Sequence, residues 1–350
     1  MELFILPIDV FTFRVWEALV VNKYDRFLPG KFYPNMKIIK AEEGDLAHHT
    51  PYAQKRRVTW ITDRYGYRKR ETGETRYDIV IVGDSDVVGT GLSQEETLSE
   101  VLGNQLKVGV YPFAPAGVNT FFKERRFKDQ PPRIVILTST ERSVPSLPPV
   151  QLSFMEHDRS APNRMQGFTH RLSDRIRGHW MVQSLGIAMD RLYKRMMLHY
   201  VRASLRRGLA GSTVIPSNSQ DTSCGRVFFL SGPSANERVS IETSERVLDI
   251  LRTYQEAFRR RGIRFIFVPV PEKETLFYND LKTARPVFLD QLVFSLKQLG
   301  IEVVDTPKAF MEAFQNRGVL LHQPDDTHWN AEAIRLTADL LRDLIRKDGP

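Results

Sequence analysis

The chain of 350 residues contains a single cysteine, Cys224. One cysteine excludes an internal disulfide and any zinc site built from several thiolates. The sequence also lacks an uncharged apolar run of about eighteen residues, which a membrane-spanning helix requires, and it lacks P-loop, dinucleotide-binding and zinc signatures. We therefore expect no cofactor, no bound metal and no membrane-spanning helix.

The N-terminal residues 1–7 are mostly apolar but have neither the basic start nor the small-residue cleavage site of a signal peptide. Export is thus not indicated by these residues themselves. Positive charge is in excess, because 50 Lys and Arg against 42 Asp and Glu give a formal net charge of +8. Such a charge favours an anionic partner, although charge alone does not distinguish an acidic glycan from a lipid surface or nucleic acid.

Short apolar runs alternate with amphipathic segments along most of the chain. The spacing predicts strands at 77–82, 108–113, 133–137, 227–230, 264–270 and 302–304, and helices at 93–106, 242–261, 286–299 and 330–347. Strands that alternate with helices form a doubly wound parallel sheet. The predicted fold class is therefore α/β, a three-layer α/β/α arrangement with a central, mainly parallel, flavodoxin-like sheet.

Two parts of the chain interrupt this pattern. Residues 1–75 are broken by prolines, and we interpret them as an extended N-terminal leader that packs on the core. Residues 76–350 form the predicted main domain, with a helical insertion at about 145–222. The insertion contains a basic amphipathic helix, 170–207, whose charged face is either simply solvated, the commoner case, or a contact for anionic lipid or a partner protein.

A Gly-Asp-Ser tripeptide ending at Ser85 directly follows the strand predicted at 77–82. A serine on the turn after a buried parallel strand has an exposed hydroxyl, and the next helix directs the positive end of its dipole toward developing negative charge. Ser85 is therefore a candidate nucleophile. The alternative is a turn whose Asp and Ser only cap the next segment, since such tripeptides are common.

A serine nucleophile needs a base, and His328 is the candidate because Asp325 and Asp326 lie shortly before it. A carboxylate that holds one ring nitrogen leaves the other free to take the serine proton. Either Asp fits this role. Alternatively, His328 lies in a capping loop, with Asn330 as the N-cap of the last helix and the two carboxylates in solvent.

Five sequence blocks resemble those of one enzyme superfamily. The Gly-Asp-Ser tripeptide resembles the first block of the SGNH, or GDSL-type, hydrolases, and residues 326–330 resemble the last block of their polysaccharide O-acetyltransferase branch, which includes the alginate-type (AlgJ/AlgX-like) enzymes. Residues 116–120, 140–143 and 270–273 with Tyr278 are similar to further blocks of that branch. The resemblance spans residues 58–345 outside the insertion and implies an SGNH hydrolase-like fold.

The resemblance also implies roles for individual residues. The Asp-x-His spacing of the acetyltransferase branch makes Asp326 the acid of a triad with Ser85 and His328, whereas the general Asp-x-x-His pattern selects Asp325; we favour Asp326. The proposed oxyanion donors are the Ser85 and Gly117 amides and the Asn119 side chain.

Three further side chains are candidate substrate contacts, and each has a structural alternative. Arg142 binds a substrate carboxylate or pairs with Glu141. Trp329 stacks on a sugar ring or is a packing anchor. Lys273 contacts substrate or is a solvated loop charge.

The chain departs from the family pattern in three respects. Asp86 follows the serine where the family usually has a bulky apolar residue, and Glu141-Arg142 stands where hydrolases of this type have an oxyanion asparagine. The Asp-x-His block follows the serine block, whereas it precedes it in the alginate enzymes. A negative Asp86 near an oxyanion is unfavourable unless its carboxylate points away.

By resemblance, the expected activity is acyl-ester chemistry on a cell-envelope or extracellular polysaccharide, either O-acetyl transfer or acetyl-ester hydrolysis, with a periplasmic or envelope location. The expected partners are a carbohydrate substrate, such as an acidic polysaccharide, and a membrane surface or membrane-bound acyl donor at the basic helix 170–207, but not nucleic acid. The competing hypothesis is an inactive SGNH-fold protein that binds glycan or assists polysaccharide assembly.

Overall fold

The computed structural model describes residues 32, 35–47, 50–74, 76–151, 219–222, 224–236 and 239–347. The predicted basic helix at 170–207 lies outside these residues, as does most of the predicted insertion. The chain divides into two units, one formed by residues 1–42, 57–73 and 159–214 and the other by residues 43–56, 74–158 and 215–350. The boundary that we place at residue 75 stays a prediction.

The first unit contains a two-stranded sheet in the part of the chain that we expected to be irregular. Its strands are β1 (Lys37–Glu42) and β2 (Arg56–Ile61), except that Arg56, the first residue of β2, belongs to the second unit. On β2, Trp60 is almost completely buried, and the guanidinium of Arg68 lies 3.8 Å from the centre of its ring. This cation–π contact accounts for the burial of an arginine beside an aromatic side chain.

The second unit is built on a five-stranded parallel sheet. Its strands are β3 (Ile79–Val82), β4 (Val110–Phe113), β5 (Ile134–Thr140), β8 (Arg264–Val270) and β9 (Glu302–Val303). They are arranged in the order β4-β3-β5-β8-β9, and every pairing is parallel. This flavodoxin-like order confirms the predicted α/β fold. The strand order reverses at β3, because β4 lies on one side of β3 and β5, β8 and β9 lie on the other. The carboxyl ends of β3 and β5 therefore flank a topological switch point.

Helices follow most of these strands. They are α1 (Ser85–Val88), α2 (Leu98–Leu106), α3 (Val118–Lys123), α4 (Arg125–Asp129), α5 (Ile241–Arg259), α6 (Lys273–Leu276), α7 (Phe288–Gln298), α8 (Thr306–Arg317) and α9 (Ala331–Lys347). The sequence predicted α2, α5, α7 and α9 but not α6 or α8. Among the described residues, no helix is long and apolar enough to cross a membrane.

A hairpin lies outside the main sheet, where sequence reasoning expected a strand at 227–230. It pairs β6 (Ser219–Thr222) antiparallel to β7 (Gly225–Phe228). The amide of Phe228 donates a hydrogen bond to the Pro324 carbonyl (2.8 Å). The hairpin therefore supports the loop that precedes α9.

Aromatic rings fill the space between α5 and the sheet. Phe258 of α5 is fully buried, and its ring stacks on Phe265 of β8, with the ring centroids 5.2 Å apart. On its other side it contacts Phe122 of α3, with a centroid separation of 4.8 Å. Such ring pairs stabilise the fold beyond the area that they bury.

Replacing Phe258 with alanine tests this core. Phe258→Ala leaves a cavity beside the Phe265 and Phe122 rings and is expected to lower the free energy of unfolding by about 3–5 kcal/mol. Phe294→Ala is the matched control, because Phe294 lies on α7 with 65% of its surface exposed; its expected effect is within about 0.5 kcal/mol. Urea unfolding followed by circular dichroism measures both, and equal effects would contradict this packing.

Candidate active site

Ser85 occupies the turn that leaves the central strand β3. Gly83 lies two residues before the serine. A Cβ at this position would lie 2.6 Å from the Val87 side chain and still closer to the Thr138 hydroxyl, so only glycine fits. Asp84 caps α1 by accepting a hydrogen bond from the Asp86 amide (3.0 Å). Ser85 is therefore the first residue of α1, half-buried at the carboxyl edge of the sheet.

His328 reaches this turn from the loop before α9. Within the loop, His322 and Trp329 form an isolated antiparallel β-bridge, and the Gln323 amide donates a hydrogen bond to the His328 carbonyl (3.1 Å). Trp329 ties the loop to α1, because its backbone amide donates to the Asp86 carboxylate (3.3 Å) and its indole Nε1 donates to the Asp86 carbonyl (3.0 Å). These bonds join two loops that are far apart in sequence.

A continuous hydrogen-bonded chain results. His328 Nε2 lies 2.7 Å from Ser85 Oγ, and His328 Nδ1 lies 2.5 Å from Asp326 Oδ1. The same carboxylate oxygen also accepts the His328 backbone amide at 3.0 Å. This is the geometry in which a carboxylate orients an imidazole and the imidazole can take a proton from a hydroxyl.

The two adjacent carboxylates have different surroundings. Asp326 contacts the imidazole, whereas the side chain of Asp325 points to Arg56 and to the backbone amide of Gln54 (2.7 Å). The carboxylate that contacts the imidazole is thus the one two residues before His328, in the Asp-x-His spacing. Asp325 instead joins the loop to residues 54 and 56.

The electrostatics of this pair favour a charged imidazole. Burial by itself lowers the pKa of His328, but the hydrogen bond to Asp326 and the nearby charges of Asp86 and Asp326 outweigh it and raise the pKa to about 9. Burial likewise raises the pKa of Asp326, and the bond to His328 overcomes this, leaving a pKa of about 2. Both shifts favour the carboxylate–imidazolium form of the pair.

Asp86 is a second carboxylate near the imidazole. It is 3% exposed, and burial, followed by the charge of Asp84, raises its pKa to about 7 even though His328 acts in the opposite direction. Its Oδ1 accepts the Trp329 amide, so the carboxylate is held toward the loop before α9. The unusual residue after the serine is therefore part of the link between the two loops.

Two backbone amides are free, in the described part of the chain, to act as the predicted oxyanion donors. The glycine block after β4 is brought beside the serine turn by a hydrogen bond from the Ala116 amide to the Gly83 carbonyl (2.8 Å). Within the described residues, neither the Ser85 amide nor the Gly117 amide donates to another group. Asn119 is different, because its side chain donates to the Pro149 carbonyl (2.9 Å) and accepts from the Gln151 amide (3.2 Å). One of its two side-chain N–H groups is thus engaged elsewhere, and a role for Asn119 as an oxyanion donor stays a prediction.

Two expected substrate contacts are buried. Trp329 has no exposed surface, so its ring offers no face to a sugar and acts as a packing anchor. Lys273 is 2% exposed, and its Nζ donates to the carbonyls of Gln323 (2.6 Å), Phe228 (2.9 Å) and Pro324 (3.2 Å). The prediction that these side chains contact substrate is wrong in this structure, and Lys273 instead stabilises the loop that carries His328.

Arg142 remains partly accessible, with 39% of its side chain exposed. It pairs with Glu272 at 2.5 and 2.6 Å rather than with Glu141. Glu141 instead accepts from the Thr275 hydroxyl (2.6 Å) and the Glu272 amide (3.1 Å), and burial raises its pKa. Arg142 is thus the one expected substrate contact that keeps an exposed face.

Sequence reasoning missed the contribution of residues 44–56, which lie in the expected leader. In this segment Arg56 contacts Asp325, and Asp45 contacts Thr327. Oxygen or nitrogen atoms of Asp45, Asp326 and His328 lie within 4.8 Å of one another, a grouping that could hold a cation, but hydrogen bonds within the protein already engage these atoms. No local sequence pattern links this segment to the last loop.

The sheet order defines a flavodoxin-like α/β fold, with Ser85 at its switch point and His328 in the loop before the last helix. Residues 227–350 match the family model of the SGNH hydrolase-like domain of the acetyltransferase AlgX. This match confirms the predicted resemblance to the AlgX-like branch over that part of the chain, which includes Asp326 and His328 but not Ser85. A protein of the hydrolase or acetyltransferase kind is indicated.

Other comparisons are weaker. A structure assigned to the lipolytic G-D-S-L family from Desulfitobacterium hafniense is 13% identical, with 77% of this chain and 99% of that chain covered and a TM-score of 0.36. A member of the same family from Veillonella parvula is 12% identical, with coverages of 76% and 96% and a TM-score of 0.35. These similarities add nothing to the fold assignment. A comparison with curated proteins gives no significant match.

Removing the charge of Asp86 tests its influence on the imidazole. Asp86→Asn keeps an acceptor for the Trp329 amide but removes a negative charge that stabilises the imidazolium, so the pKa of His328 is expected to fall by about 1–2 units. NMR titration of isotope-labelled histidine measures the shift. Asp129→Asn on α4, an exposed carboxylate paired with Arg125, is the control and is expected to leave the His328 pKa unchanged. An unchanged pKa in Asp86→Asn would show that the two groups are not coupled.

Proposed function

We propose that this protein is a serine-dependent acyl-ester enzyme that transfers acetyl groups to, or removes them from, a polysaccharide. The hydrogen-bonded chain from Ser85 through His328 to Asp326 is the observation that carries the proposal. Support also comes from the match of residues 227–350 to an acetyltransferase domain. In this proposal Ser85 is the nucleophile, His328 the general base and acid, and Asp326 the group that orients the ring.

The first half-reaction forms an acyl-enzyme. Ser85 Oγ attacks the carbonyl carbon of an acetyl ester while its proton passes to His328 Nε2. The tetrahedral intermediate then collapses, the ester C–O bond breaks, and the leaving oxygen takes the proton from Nε2. Asp326 stays ionised throughout and stabilises the imidazolium.

Negative charge on the intermediate is stabilised by the two backbone donors beside the serine. The amides of Ser85 and Gly117 have no competing acceptor within the described residues. Preorganised donors of this kind typically contribute a factor of about 10²–10³ in rate each. The Trp329 amide donates to the Asp86 carboxylate, which holds this negative group toward the loop before α9 and away from the oxyanion.

The second half-reaction decides between two outcomes. Water that attacks the acetyl-Ser85 ester gives hydrolysis, and a sugar hydroxyl gives O-acetyl transfer; either acceptor loses its proton to His328. The same triad serves both, so the acceptor that reaches the ester determines the product. We favour a cell-envelope or extracellular polysaccharide in the periplasm or envelope, with a membrane surface or membrane-bound acyl donor contacting residues 170–207.

The alternative is a catalytically inactive protein that binds glycan during polysaccharide biosynthesis. It is favoured by Asp86 beside the serine and by Glu141 where the hydrolases have an oxyanion asparagine. Against it, the serine and imidazole are already within hydrogen-bonding distance. An inactive binder has no need of this bond.

An activity-based probe separates the two. A fluorophosphonate is expected to label Ser85, with labelling abolished in Ser85→Ala and reduced by at least about 10³-fold in His328→Ala. Ser234→Ala is the matched control, because Ser234 is exposed and its hydroxyl donates only to the Ser231 carbonyl. Mass spectrometry of the labelled peptide and initial rates with p-nitrophenyl acetate provide the readouts. A folded protein that fails to react with the probe at any pH from 6 to 10 supports the inactive binder instead.

Arg142 is the proposed contact for acidic substrate. Arg142→Gln is expected to raise KM for an acetylated uronate polysaccharide about 3- to 10-fold more than for a neutral acetyl ester, because only the first presents a carboxylate to the guanidinium. Arg285→Gln, which removes an arginine paired with Asp290, is the control. Equal changes for the two substrates would assign Arg142 a structural role with Glu272.

A further inference from the structure

The Asp-Asp-Thr-His turn that carries the imidazole is held from outside by the segment 44–56, whose described residues are 44–47 and 50–56. We call this segment the strap. It belongs to the same unit as the turn, although 269 or more residues separate the bonded partners in sequence. At Gly44 a side chain would overlap the Asp325 backbone, so the two segments lie in direct backbone contact.

One half of the contact involves Asp45. Its two carboxylate oxygens accept the Thr327 amide (2.8 Å) and the Thr327 hydroxyl (2.6 Å), and its own amide donates to Asp326 Oδ2 (3.3 Å). Since Asp326 Oδ1 accepts from His328, both oxygens of the triad carboxylate have partners. Asp45 therefore fixes the rotation of the Asp326 carboxylate and the position of the residue before the imidazole.

The other half involves Asp325. Its carboxylate accepts from the Gly44 amide (3.2 Å), the Gln54 amide (2.7 Å) and the Arg56 guanidinium, and its carbonyl accepts the amides of Leu46 and Ala47. Asp325 is 1% exposed. A carboxylate this deeply buried is stable as an anion only when charge and hydrogen bonds compensate it, and the strap supplies these groups.

We propose that the strap is a positioning element for the catalytic imidazole, in which Asp45 and Arg56 hold the Asp326–His328 pair in register with Ser85. This inference rests on the proposed acyl-ester function. The acid and the base come from a single turn, so their mutual geometry follows from the turn, but the approach of the whole turn to Ser85 does not. A misplacement of about 1 Å in a reacting group can reduce the rate by about 100-fold.

The exposed position of Asp45 makes it the sharper test. Asp45→Ala removes both acceptors for Thr327 and is expected to lower kcat for p-nitrophenyl acetate and the fluorophosphonate labelling rate by about 10- to 100-fold, the range typical of outer partners of an oriented ligand, with KM little changed. Asp45→Asn keeps one oxygen acceptor and is expected to recover part of the rate. Asp129→Ala, which removes an exposed carboxylate on α4, is the matched control.

Arg56 provides a second variant on the buried side. Arg56→Lys keeps the positive charge but loses the forked contact, and a smaller loss than in Arg56→Met is expected. Because Arg56→Met leaves Asp325 without a cation, circular dichroism must first show that it folds. Asp45→Ala carries the test if it does not. Arg259→Lys, which removes an exposed forked contact with Glu256 on α5, is the control for loss of an arginine fork.

An NMR readout keeps this inference separate from the proposed function. In wild-type protein the Nδ1 proton shared by His328 and Asp326 is expected as a far-downfield signal, which weakens or moves in Asp45→Ala and persists in Asp129→Ala. A Ser85 that never reacts with the probe overturns the function but leaves this signal to decide the role of the strap. Wild-type labelling rates together with an unchanged signal in folded Asp45→Ala overturn the strap proposal.

Discussion

The 2.7 Å contact between Ser85 Oγ and His328 Nε2 joins residues 243 positions apart, and the rest of the site depends on it. Ser85 is placed by Gly83, where any side chain would overlap Thr138 of β5 and Val87 of α1, and by the Asp84 cap on α1. His328 is placed by a loop whose carbonyls are held by the buried Lys273. The cost of burying that ammonium is offset by three hydrogen bonds, and its pKa falls to about 8, mainly through burial.

The imidazole contacts one buried carboxylate, Asp326, and is influenced by the charge of a second, Asp86, and in the proposed mechanism both set the pH at which it acts as a base. A base must be unprotonated, and a pKa raised to about 9 makes that form of His328 the minor one at pH 7. The reactive fraction therefore increases about tenfold per pH unit until the pKa is reached. Asp86 contributes to this high pKa, so the residue that departs from the family pattern beside the serine acts on the imidazole.

Much of this site could be predicted from sequence because its parts have local signatures. An apolar strand before Gly-Asp-Ser identified Ser85, and two aspartates before a histidine that precedes an amphipathic helix identified His328. The choice of Asp326 over Asp325, in contrast, came from the family resemblance. The burial of Trp329 and Lys273 could not be predicted in this way. Lys273 bonds to Phe228 on β7 and Trp329 bonds to Asp86, and no local sequence pattern connects these partners. The strap was missed for the same reason: its role depends on hydrogen bonds, several of them to backbone amides, which leave no sequence pattern.

The strap also bears on the choice between an enzyme and an inactive binder. Burying Asp325, Asp326 and Asp86 near one imidazole is unfavourable, because each carboxylate loses water and repels the others. Replacing buried ionic groups with well-packed apolar residues is often neutral or stabilising, so stability alone does not account for these carboxylates. Here each carboxylate accepts specific hydrogen bonds, and those from the strap and from His328 hold Asp326 in a single orientation toward the imidazole. Preorganisation of this kind is what proton transfer to the imidazole requires, and it therefore supports the proposed enzyme over the inactive binder.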